Sequence, residues 1–453
     1  MMSLAHAARM AEGRTSGGNP VFTGVSTDTR TLRRGDLFVA LRGERFDGHA
    51  FLAQAKAAGA CAAMVDRAYG GEYPIPVLIV ADTKLALGAL ARGWRARFTP
   101  ALIAVTGSNG KTTVKEMLAA ILRAHAQGEA AGDAAVLATA GNLNNDIGLP
   151  LTLLRLDARH RWCAIELGMN HKGEIAYLAS IAQPTVAVVN NAQREHLEFM
   201  NSVEEVAAEN ASVYTALPAQ GVAVVNADDG QATVFRRAAG PRKVVDFGLD
   251  AAAAVTGRYT LGHLSSELHV RVAGAEASAT LAIPGLHNVR NALAAAACAY
   301  AAGIGLSGIV KGLAAFRPYV GRLEVNAAGE TTVIDDSYNA NPDSVRAAID
   351  VLAACPGPSV LVVGDMGEVG ARGAQFHEEV GAYARSRGIS SLLGLGEATR
   401  DAVAAFGEGA QHFDSVEALV PAIRGRTVLV KGSRFMRMER VVAALTGAQG
   451  GGH

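Results

Sequence analysis

The sequence is poor in the residues that mark several classes of protein. Only 5% of its 453 residues are aromatic, and its four cysteines, Cys61, Cys163, Cys298 and Cys355, form no Cys-x-x-Cys pair. Scattered cysteines argue against a disulfide scaffold or a zinc site, and they favour reduced thiols in the cytoplasm. Lysine plus arginine equals aspartate plus glutamate at 42 each, so the charge balance gives no sign of a nucleic-acid partner.

Strongly apolar long runs are also missing. The longest uncharged run, residues 291–310, is mostly alanine and glycine, so we expect a buried helix, a turn and a second helix rather than a membrane span. The N-terminal stretch MMSLAHAARMAEG lacks the apolar core of a signal peptide. We therefore expect a cytoplasmic protein without a membrane span, a monomer, with a disordered tail GAQGGGH.

Length and composition favour an α/β protein of several domains. Half of the residues are hydrophobic, mostly alanine, valine and leucine, and glycine is also abundant at 51 residues. We predict three domains. They are a small α/β N-terminal domain (1–99), a central domain with a phosphate loop on a doubly wound parallel sheet and an antiparallel insertion (100–317), and a C-terminal Rossmann-like domain (318–453).

Hydrophobic periodicity gives the expected elements of the two larger domains. The central strands are predicted at 102–106, 162–167, 185–190 and 221–226, the helices at 111–125, 172–181, 203–216 and 287–302, and the antiparallel insertion at 259–283. The C-terminal strands are predicted at 331–336, 359–364, 391–395 and 427–431, and the helices at 342–354, 376–387, 397–406, 415–424 and 434–445.

A glycine-rich turn between a strand and a helix carries the clearest chemistry. The stretch TGSNGKTT, residues 106–113, offers backbone N–H groups and a helix N-terminus to an anion, with Lys111 adding charge and Thr112 a hydroxyl for Mg²⁺. Val105 stands where the general P-loop pattern has glycine, and a plain glycine turn is the alternative. The pattern favours an enzyme that uses a nucleoside triphosphate.

Two further side chains are predicted at the carboxyl edge of the central sheet, where ligands bind. Glu166 ends a strand and suits Mg²⁺, which prefers oxygen ligands, although it could be a solvated glutamate. His196 follows the next strand and is either a metal or substrate ligand or a structural histidine.

Polar segments elsewhere also leave alternatives open. Asn288 and Asn291 share one helix face and suit a purine edge, or Asn288 caps the helix. The loop GNLNND, residues 141–146, is suited to peptide or sugar groups, or is a cluster of Asx turns. Arg322 follows the domain junction and is either a phosphate ligand or a solvated charge. The segment KGSRFMRMERVV, residues 431–442, is predicted to open a helix in an anion-binding geometry.

The segment DDSYNANPDS, residues 335–344, follows a C-terminal strand. Asn341 and Pro342 are a typical helix start. Asp336, Tyr338 and Asn339 form a polar surface beyond what capping needs.

Together, TGSNGKTT, ELGMN, EHLE, HNVRNA, Gly-Arg and the DD–Y–N–P segment resemble the Mur ligase family, the ATP-dependent amide-forming enzymes of peptidoglycan precursor synthesis. Residues 26–49, TAGNLNNDIGLP, SYNANPDS and GDMGEVG resemble the branch that adds D-alanyl-D-alanine to UDP-N-acetylmuramoyl-tripeptide. The sibling that adds a diamino acid (MurE type) uses an Asn-Pro-Arg motif that is absent here.

The resemblance implies ATP and Mg²⁺ as cofactors and assigns roles to residues of this chain. The catalytic residues would be Lys111, Glu166, His196 and Arg322, and the metal ligands Thr112, Glu166 and His196. The ATP site would comprise Gly107, Ser108, Asn109, Gly110, Lys111, Thr112, Thr113, Asn288, Asn291, Arg322 and Asp336. The uridine diphosphate end would face Ser26, Asp28, Arg30, Arg42, Gly43, Asp47, Gly48 and His49. The reacting peptides would lie nearer Asn142, Asn144, Asn145, Tyr338, Asn339 and Asn341.

One position departs from the family pattern. Many relatives carry a carbamylated lysine in the helix after the His196 motif, and Asn210 stands there in this chain. An amide cannot become a carbamate, so we expect a different second metal site, with Glu209 as a candidate substitute. A sibling amide ligase of the MurE or folylpolyglutamate synthetase type and a non-catalytic nucleotide-binding protein remain as alternatives.

Overall fold

The computed structural model describes residues 1–43, 46–128 and 131–447. Glu44 and Arg45 of the expected substrate loop, and the tail from 448 to 453, lie outside the described residues. The three main sheets follow one another along the chain, which confirms the predicted three-domain α/β class. The bounds predicted after 99 and 317 stay predictions; they fall in the connections 96–100 and 316–323.

The N-terminal domain is a small sheet with helices. Its strands are β1 (Met2–Ser3), β2 (Arg14–Ser16), β3 (Val21–Phe22), β4 (Val25–Ser26), β5 (Leu37–Val39), β6 (Ala62–Asp66) and β7 (Val77–Val80). Its helices are α1 (Leu4–Met10), α2 (Leu52–Ala57) and α3 (Thr83–Arg95). The main sheet has the order β2-β7-β6-β5-β4 and is parallel except for β2, while β1 pairs with β3.

The central domain contains the longest sheet. Its strands are β8 (Ala101–Thr106), β9 (Val136–Ala138), β10 (Trp162–Glu166), β11 (Val186–Val189), β12 (Val222–Asn226), β13 (Lys243–Phe247), β14 (Val255–Leu261), β15 (Ser266–Val272) and β16 (Ala275–Leu281). Its helices are α4 (Lys111–Ala126), α5 (Gly148–Leu153), α6 (Glu174–Ala182), α7 (Val203–Ala211), α8 (Ala232–Ala239), α9 (Leu286–Ala301) and α10 (Leu306–Ala315).

The alternating side chains of β8 explain why this sheet is covered on both faces. Ile103 and Val105 pack in one core with α4, α9 and α10, and Leu102 and Ala104 pack in the other with α3, α6 and α7. A strand buried on both faces reads as a continuous apolar run, as parallel strands do. The strand order β16-β15-β14-β13-β12-β11-β8-β10-β9 ends in antiparallel β14–β16, so the predicted antiparallel insertion is confirmed as an extension of the same sheet.

The C-terminal domain is a second, largely parallel sheet. Its strands are β17 (Glu324–Ala328), β18 (Thr331–Asp336), β19 (Ser359–Gly364), β20 (Ser391–Leu395), β21 (Ala410–Phe413) and β22 (Thr427–Lys431), in the order β17-β18-β22-β19-β20-β21. Its helices are α11 (Pro342–Ala353), α12 (Gly373–Ser386), α13 (Thr399–Phe406), α14 (Val416–Leu419) and α15 (Glu439–Thr446).

Several predicted helix bounds are wrong. The helix expected at 434–445 starts at Glu439, because Arg437 adopts a left-handed backbone (φ 48°) after a short 3₁₀ turn. The helix expected at 415–424 becomes 3₁₀ after Leu419, where Pro421 lacks an N–H to continue it. The helix expected at 203–216 likewise becomes a 3₁₀ helix from Ser212. The helix expected at 172–181 starts at Glu174, after Gly173 in a left-handed conformation.

The uncharged run forms α9 and α10, as predicted. The alanines of α9 are buried against the central sheet. Within the described ranges, the structure has no helix long and apolar enough to cross a membrane.

The contact between α10 and α4 gives a test of the fold, because α4 starts at Lys111. A Cβ on Gly312 would lie 2.2 Å from the Cα of Ile121. We predict that Gly312→Ala separates the two helices and lowers the free energy of unfolding by about 1–3 kcal/mol, despite the better helix propensity of alanine. Thermal unfolding measures this loss, with Gly70→Ala as control, since no atom lies within 4 Å of a Cβ there. Equal melting temperatures for the two variants would contradict the close contact.

Candidate active site

The glycine-rich turn joins β8 to α4 in a conformation that requires glycine. Gly107 and Gly110 have φ angles of 128° and 81°. A Cβ at Gly110 would also lie 2.4 Å from Asn291 Oδ1. The Lys111 ammonium donates to the carbonyls of Gly107 at 2.7 Å and Ser108 at 3.0 Å. This loop therefore has the strand–turn–helix geometry of a phosphate site, with a cation at its centre.

A chain of side-chain amides supports the loop. Asn190 donates to the carbonyl of Asn109 at 2.7 Å and to Asn291 Oδ1 at 2.9 Å, and Asn291 donates to Asn288 Oδ1 at 3.0 Å. Asn288 also donates to the carbonyl of Pro284. The two asparagines expected to read adenine thus already bond to protein groups. The N-cap of α9 is at Gly285, so the alternative that Asn288 caps this helix is wrong.

The turn opens onto a cavity of about 780 Å³ where the three domains meet. Lys84 and Leu85 of α3 line one side, the phosphate loop lines the middle, and Arg434 lies on the C-terminal side. The predicted site residues in its wall are Ser108, Asn109, Gly110, Lys111, Thr112, Asn142, Asn144, Asn145, Glu166, His196, Arg322, Tyr338, Asn339 and Asn341.

An adjoining cavity of about 380 Å³ lies between α9 and the C-terminal domain. The predicted residues in its wall are Asn109, Gly110, Thr113, Asn288, Asn291, Arg322 and Asp336. Arg322 lines both cavities, and its guanidinium lies 4.2 Å from the centre of the Tyr338 ring. Contact with the ring supports the guanidinium at the boundary of the two cavities, where a phosphate chain that passes from one to the other would meet it.

Glu166 has the environment of a cation ligand. It is 2% exposed, and one carboxylate oxygen accepts from Asn144 Nδ2 at 2.7 Å. The other, Oε2, is buried and has no hydrogen-bond partner in the described part of the chain. A buried carboxylate oxygen without a partner is costly, and a hard cation such as Mg²⁺ would satisfy it.

A metal ion at this site would need ligands from the substrate as well as from the protein. The described ranges contain no group of three histidine, cysteine, aspartate or glutamate side chains that could hold a metal alone. Glu166 and the Thr112 hydroxyl line the same cavity, so they fit a Mg²⁺ ion that keeps phosphate and water ligands.

Glu195 is a site residue that the sequence analysis missed. It is buried, and its carboxylate accepts from the Lys111 ammonium at 3.2 Å. Burial alone would raise the pKa of Glu195, but Lys111 and His196 outweigh burial and lower it. The available signal was its place beside His196 in the EHLE motif.

His196 lies between two carboxylates. Its Nδ1 is 2.6 Å from Glu368 Oε2 and its Nε2 is 3.4 Å from Glu195 Oε1. Burial lowers the pKa of His196, but the hydrogen bonds with Glu195 and Glu368 outweigh burial and raise it to about 9. The contact with Glu368 crosses from the central to the C-terminal domain.

The C-terminal wall is built from charge pairs and a helix cap. Asp336 accepts from the buried ammonium of Lys431 at 2.6 Å, and Lys431 also donates to the carbonyl of Asn339. Burial lowers the pKa of Lys431. Asn341 caps α11 in a reciprocal capping box with Ser344, as the Asn-Pro start predicted, and its Nδ2 donates to Asn109 Oδ1 at 2.9 Å.

The anion-binding helix predicted at 431–442 is wrong in its geometry. Arg434–Met436 is a 3₁₀ turn, and Lys431 is committed to Asp336.

In the GNLNND loop, Asn144 reaches Glu166, whereas Asn145 Oδ1 accepts from the N–H of Gly148 at 2.8 Å. The loop therefore combines a site contact with the Asx-type turn that was the alternative.

The predicted uridine residues lie outside both cavities. Their positions are Ser26, Asp28, Arg30, Arg42, Gly43, Asp47, Gly48 and His49. Their side chains bond to one another or to Asp66, all within the N-terminal domain. Asp28 pairs with Arg30 at 2.6 Å, whose hydrogen bonds lower the pKa of Asp28 to about 2, and Asp47 Oδ1 lies 2.5 Å from His49 Nδ1. Their substrate role stays a prediction.

The expected substitute for the carbamylated lysine is wrong. The Glu209 carboxylate accepts from the N–H groups of Gly173 at 2.8 Å and Ile175 at 2.9 Å, so it is bound to the start of α6. Asn210 is fully buried, accepts from Thr106 Oγ1 at 2.6 Å and donates to the carbonyl of Val206. Neither side chain lines a described cavity.

Three domain descriptions match the chain in order. They are Mur ligase family, catalytic domain, over residues 21–95; Mur ligase middle domain over 105–299; and Mur ligase, glutamate ligase domain over 321–434. The fold and the cavity define a three-domain α/β ligase, and the chain belongs to the Mur ligase family.

Individual relatives match over nearly the whole length. The UDP-N-acetylmuramoyl-tripeptide–D-alanyl-D-alanine ligase of Escherichia coli (strain K12) is 42% identical, with 98% of each chain covered. A crystal structure of MurF from Acinetobacter baumannii has a TM-score of 0.90 at 34% identity, covering 98% of this chain and 99% of that one. MurF from Thermotoga maritima in complex with ADP has a TM-score of 0.82 at 25% identity, covering 94% and 98%.

The buried position of Asn210 predicts that turnover does not depend on carbon dioxide. An amide forms no carbamate, and this one is bonded within the core. ATP-dependent turnover in buffer stripped of carbon dioxide should equal turnover with bicarbonate added. A loss of activity that bicarbonate restores would show that a lysine elsewhere carries a carbamate.

Proposed function

We propose that this chain is an ATP-dependent ligase that joins D-alanyl-D-alanine to UDP-N-acetylmuramoyl-tripeptide, giving the pentapeptide precursor of peptidoglycan, ADP and phosphate. The observation that carries the proposal is a single cavity at the meeting point of three domains that is lined by Lys111 and by Glu166, whose second carboxylate oxygen is buried without a partner among the described residues. This cavity would hold the triphosphate and the reacting ends of the two peptides, since the rest of the nucleotide and the uridine end would lie outside it. The names of the relatives support the choice of the two peptides.

The first step would make the tripeptide carboxylate reactive. A carboxylate is a poor acylating agent, and transfer of the γ-phosphoryl group to one of its oxygens gives an acyl phosphate and ADP. Lys111, in the loop, and Arg322, between the two cavities, are the cations that would offset the charge on the moving phosphoryl group. Mg²⁺, held by Thr112 and Glu166, would supply further charge neutralisation when bound.

The second step would form the amide bond. The amine of D-alanyl-D-alanine attacks the acyl carbon, its proton is lost, and the tetrahedral intermediate expels phosphate. The dipeptide would enter from the C-terminal side of the cavity, where Tyr338, Asn339 and Asn341 provide polar contacts. Closure of the domains would exclude water, which would otherwise hydrolyse the acyl phosphate.

The adjoining cavity is the proposed adenosine site. Asn288 and Asn291 line it and are held in one orientation by the amide chain, so they would present fixed donors and acceptors to a purine edge. Asp336 would lie near the ribose. The uridine end would rest on the N-terminal domain around Ser26 and Arg30, and the reaction would take place in the cytoplasm.

A panel of amine acceptors tests the proposed function. Purified chain, ATP, Mg²⁺ and the tripeptide precursor should give the pentapeptide product by mass spectrometry when D-alanyl-D-alanine is present. A single diamino acid or glutamate in its place should give no product, because those acceptors belong to the sibling ligases. Release of phosphate with the diamino acid on a dipeptide precursor would move the chain to the MurE type.

Lys111→Ala is the matched negative control in the same assay. Lys111 bonds to loop carbonyls and to Glu195 rather than packing in a core, so the variant should keep its circular dichroism, while its melting temperature should fall because the buried Glu195 carboxylate loses its counter-charge. Its turnover should fall at least about 100-fold, the size of effect seen when one donor to a developing charge is removed. If no acceptor yields phosphate with the wild-type chain, it is a nucleotide-binding protein and not a ligase.

A further inference from the structure

The GDMGEVG segment, residues 364–370, is not accounted for by the proposed chemistry. It follows β19 of the C-terminal domain and reaches the loop after β11 that carries Glu195 and His196. Glu368 has a left-handed backbone (φ 59°), and His196 has one too (φ 53°). A left-handed non-glycine residue is uncommon and clusters at functional sites, and here two of them meet across a domain boundary.

The contact between these two residues involves both side chain and backbone. His196 Nδ1 lies 2.6 Å from Glu368 Oε2, and the N–H of Glu198 donates to the Glu368 carbonyl at 3.3 Å. A Cβ on Gly370 would lie 3.4 Å from the Leu197 carbonyl. The GDMGEVG segment thus lies directly against the loop that carries Glu195 and His196.

Arg194, at the other end of the loop that carries Glu195 and His196, also bonds to the C-terminal domain. Its guanidinium donates to Asp343 of α11 at 2.6 Å and to Glu379 of α12 at 2.7 Å. With bonds at Arg194 and at His196, the loop is held to the C-terminal domain on both sides of Glu195. Glu195, which pairs with Lys111, lies within that span.

The contact with Glu368 decides which ring nitrogen of His196 can bind a cation. A carboxylate accepts a hydrogen bond, so Nδ1 is the nitrogen that donates to Glu368. Nε2, 3.4 Å from Glu195 Oε1, is the nitrogen on the other side of the ring, and it must lose its proton before it can bind a cation. His196 lines the large cavity, whereas Glu368 lines neither cavity. A histidine ligand whose second nitrogen donates to a carboxylate is held in one tautomer and one orientation.

We propose that Glu368 is the positioning residue of His196, so that His196 presents Nε2 to the metal–triphosphate group only when the C-terminal domain is docked. The inference rests on the proposed function and deepens it. It assigns to GDMGEVG the coupling between domain docking and completion of the phosphate site. Glu368 touches no reacting group and acts through His196.

Three variants test this role. Glu368→Ala should lower kcat about 10–100-fold, the usual effect of removing the partner of a ligating histidine. Its affinity for ATP in the absence of Mg²⁺, measured by direct binding, should stay within about twofold of wild type, because the phosphate loop is untouched. Glu368→Gln keeps an acceptor oxygen and should recover most of kcat. Glu378→Ala, an exposed glutamate on α12, is the control and should match wild type.

Nuclear magnetic resonance gives a readout that needs no turnover. In the metal-free chain with ¹⁵N-labelled histidine, His196 should show a hydrogen-bonded Nδ1 proton, assigned by its loss in His196→Gln. The signal should persist in Glu368→Gln and vanish in Glu368→Ala.

The outcomes separate this inference from the proposed function. Wild-type kcat in Glu368→Ala, equal losses of kcat in the Ala and Gln variants, or no Nδ1 signal in wild type would each overturn it. A parallel loss of metal-free ATP affinity and melting temperature in Glu368→Ala would also overturn it, since that pattern marks a structural contact. If the wild-type chain makes no product, the proposed function fails, and the resonance of His196 still decides whether the contact exists.

Discussion

The rest of the site depends on one steric constraint, the passage of Gly110 between two asparagine side chains. A Cβ there would lie 2.4 Å from Asn291 and 2.8 Å from Asn190 Nδ2. Because the turn is this tight, α4 can start at once with Lys111, whose ammonium returns to the loop carbonyls. The same asparagines extend the support to α9, so the phosphate loop and the adjoining cavity are parts of one hydrogen-bonded unit.

The second organising feature is that no single domain completes the cavity. The central domain supplies Lys111 and Glu166, and the C-terminal domain supplies Arg322, Asn341 and the Glu368 contact. An arrangement of this kind links the chemistry to the relative position of the domains. It suits a reaction with a hydrolysable intermediate, because the site would be complete only when water is excluded.

Features that depend on short stretches of sequence were predictable. The phosphate loop, the Asn341-Pro342 helix start and the alanine-rich α9 each follow from residues within one turn or one helix. Features that depend on distant residues were not. The role of Glu195 depends on its contact with Lys111, 84 positions away, and the role of Glu368 depends on its contact with His196, 172 positions away. No local pattern encodes such pairs, as the mistaken role for Glu209 also shows.

The predicted helix ends were wrong for a related reason. Arg437 adopts a left-handed backbone that arginine does not favour, so tertiary packing rather than propensity ends the turn before α15. The short edge strands β17 and β21 were missed because none of their residues is fully buried and their apolar pattern is weak.

The central claim is that ATP activates a carboxylate as an acyl phosphate, and oxygen transfer tests it most directly. The tripeptide carboxylate that becomes the new amide is labelled with oxygen-18 on both oxygens, and the released phosphate is examined by mass spectrometry. The account predicts one labelled oxygen in each phosphate, because that oxygen leaves the carboxylate with the phosphoryl group. Amide product accompanied by unlabelled phosphate would contradict it.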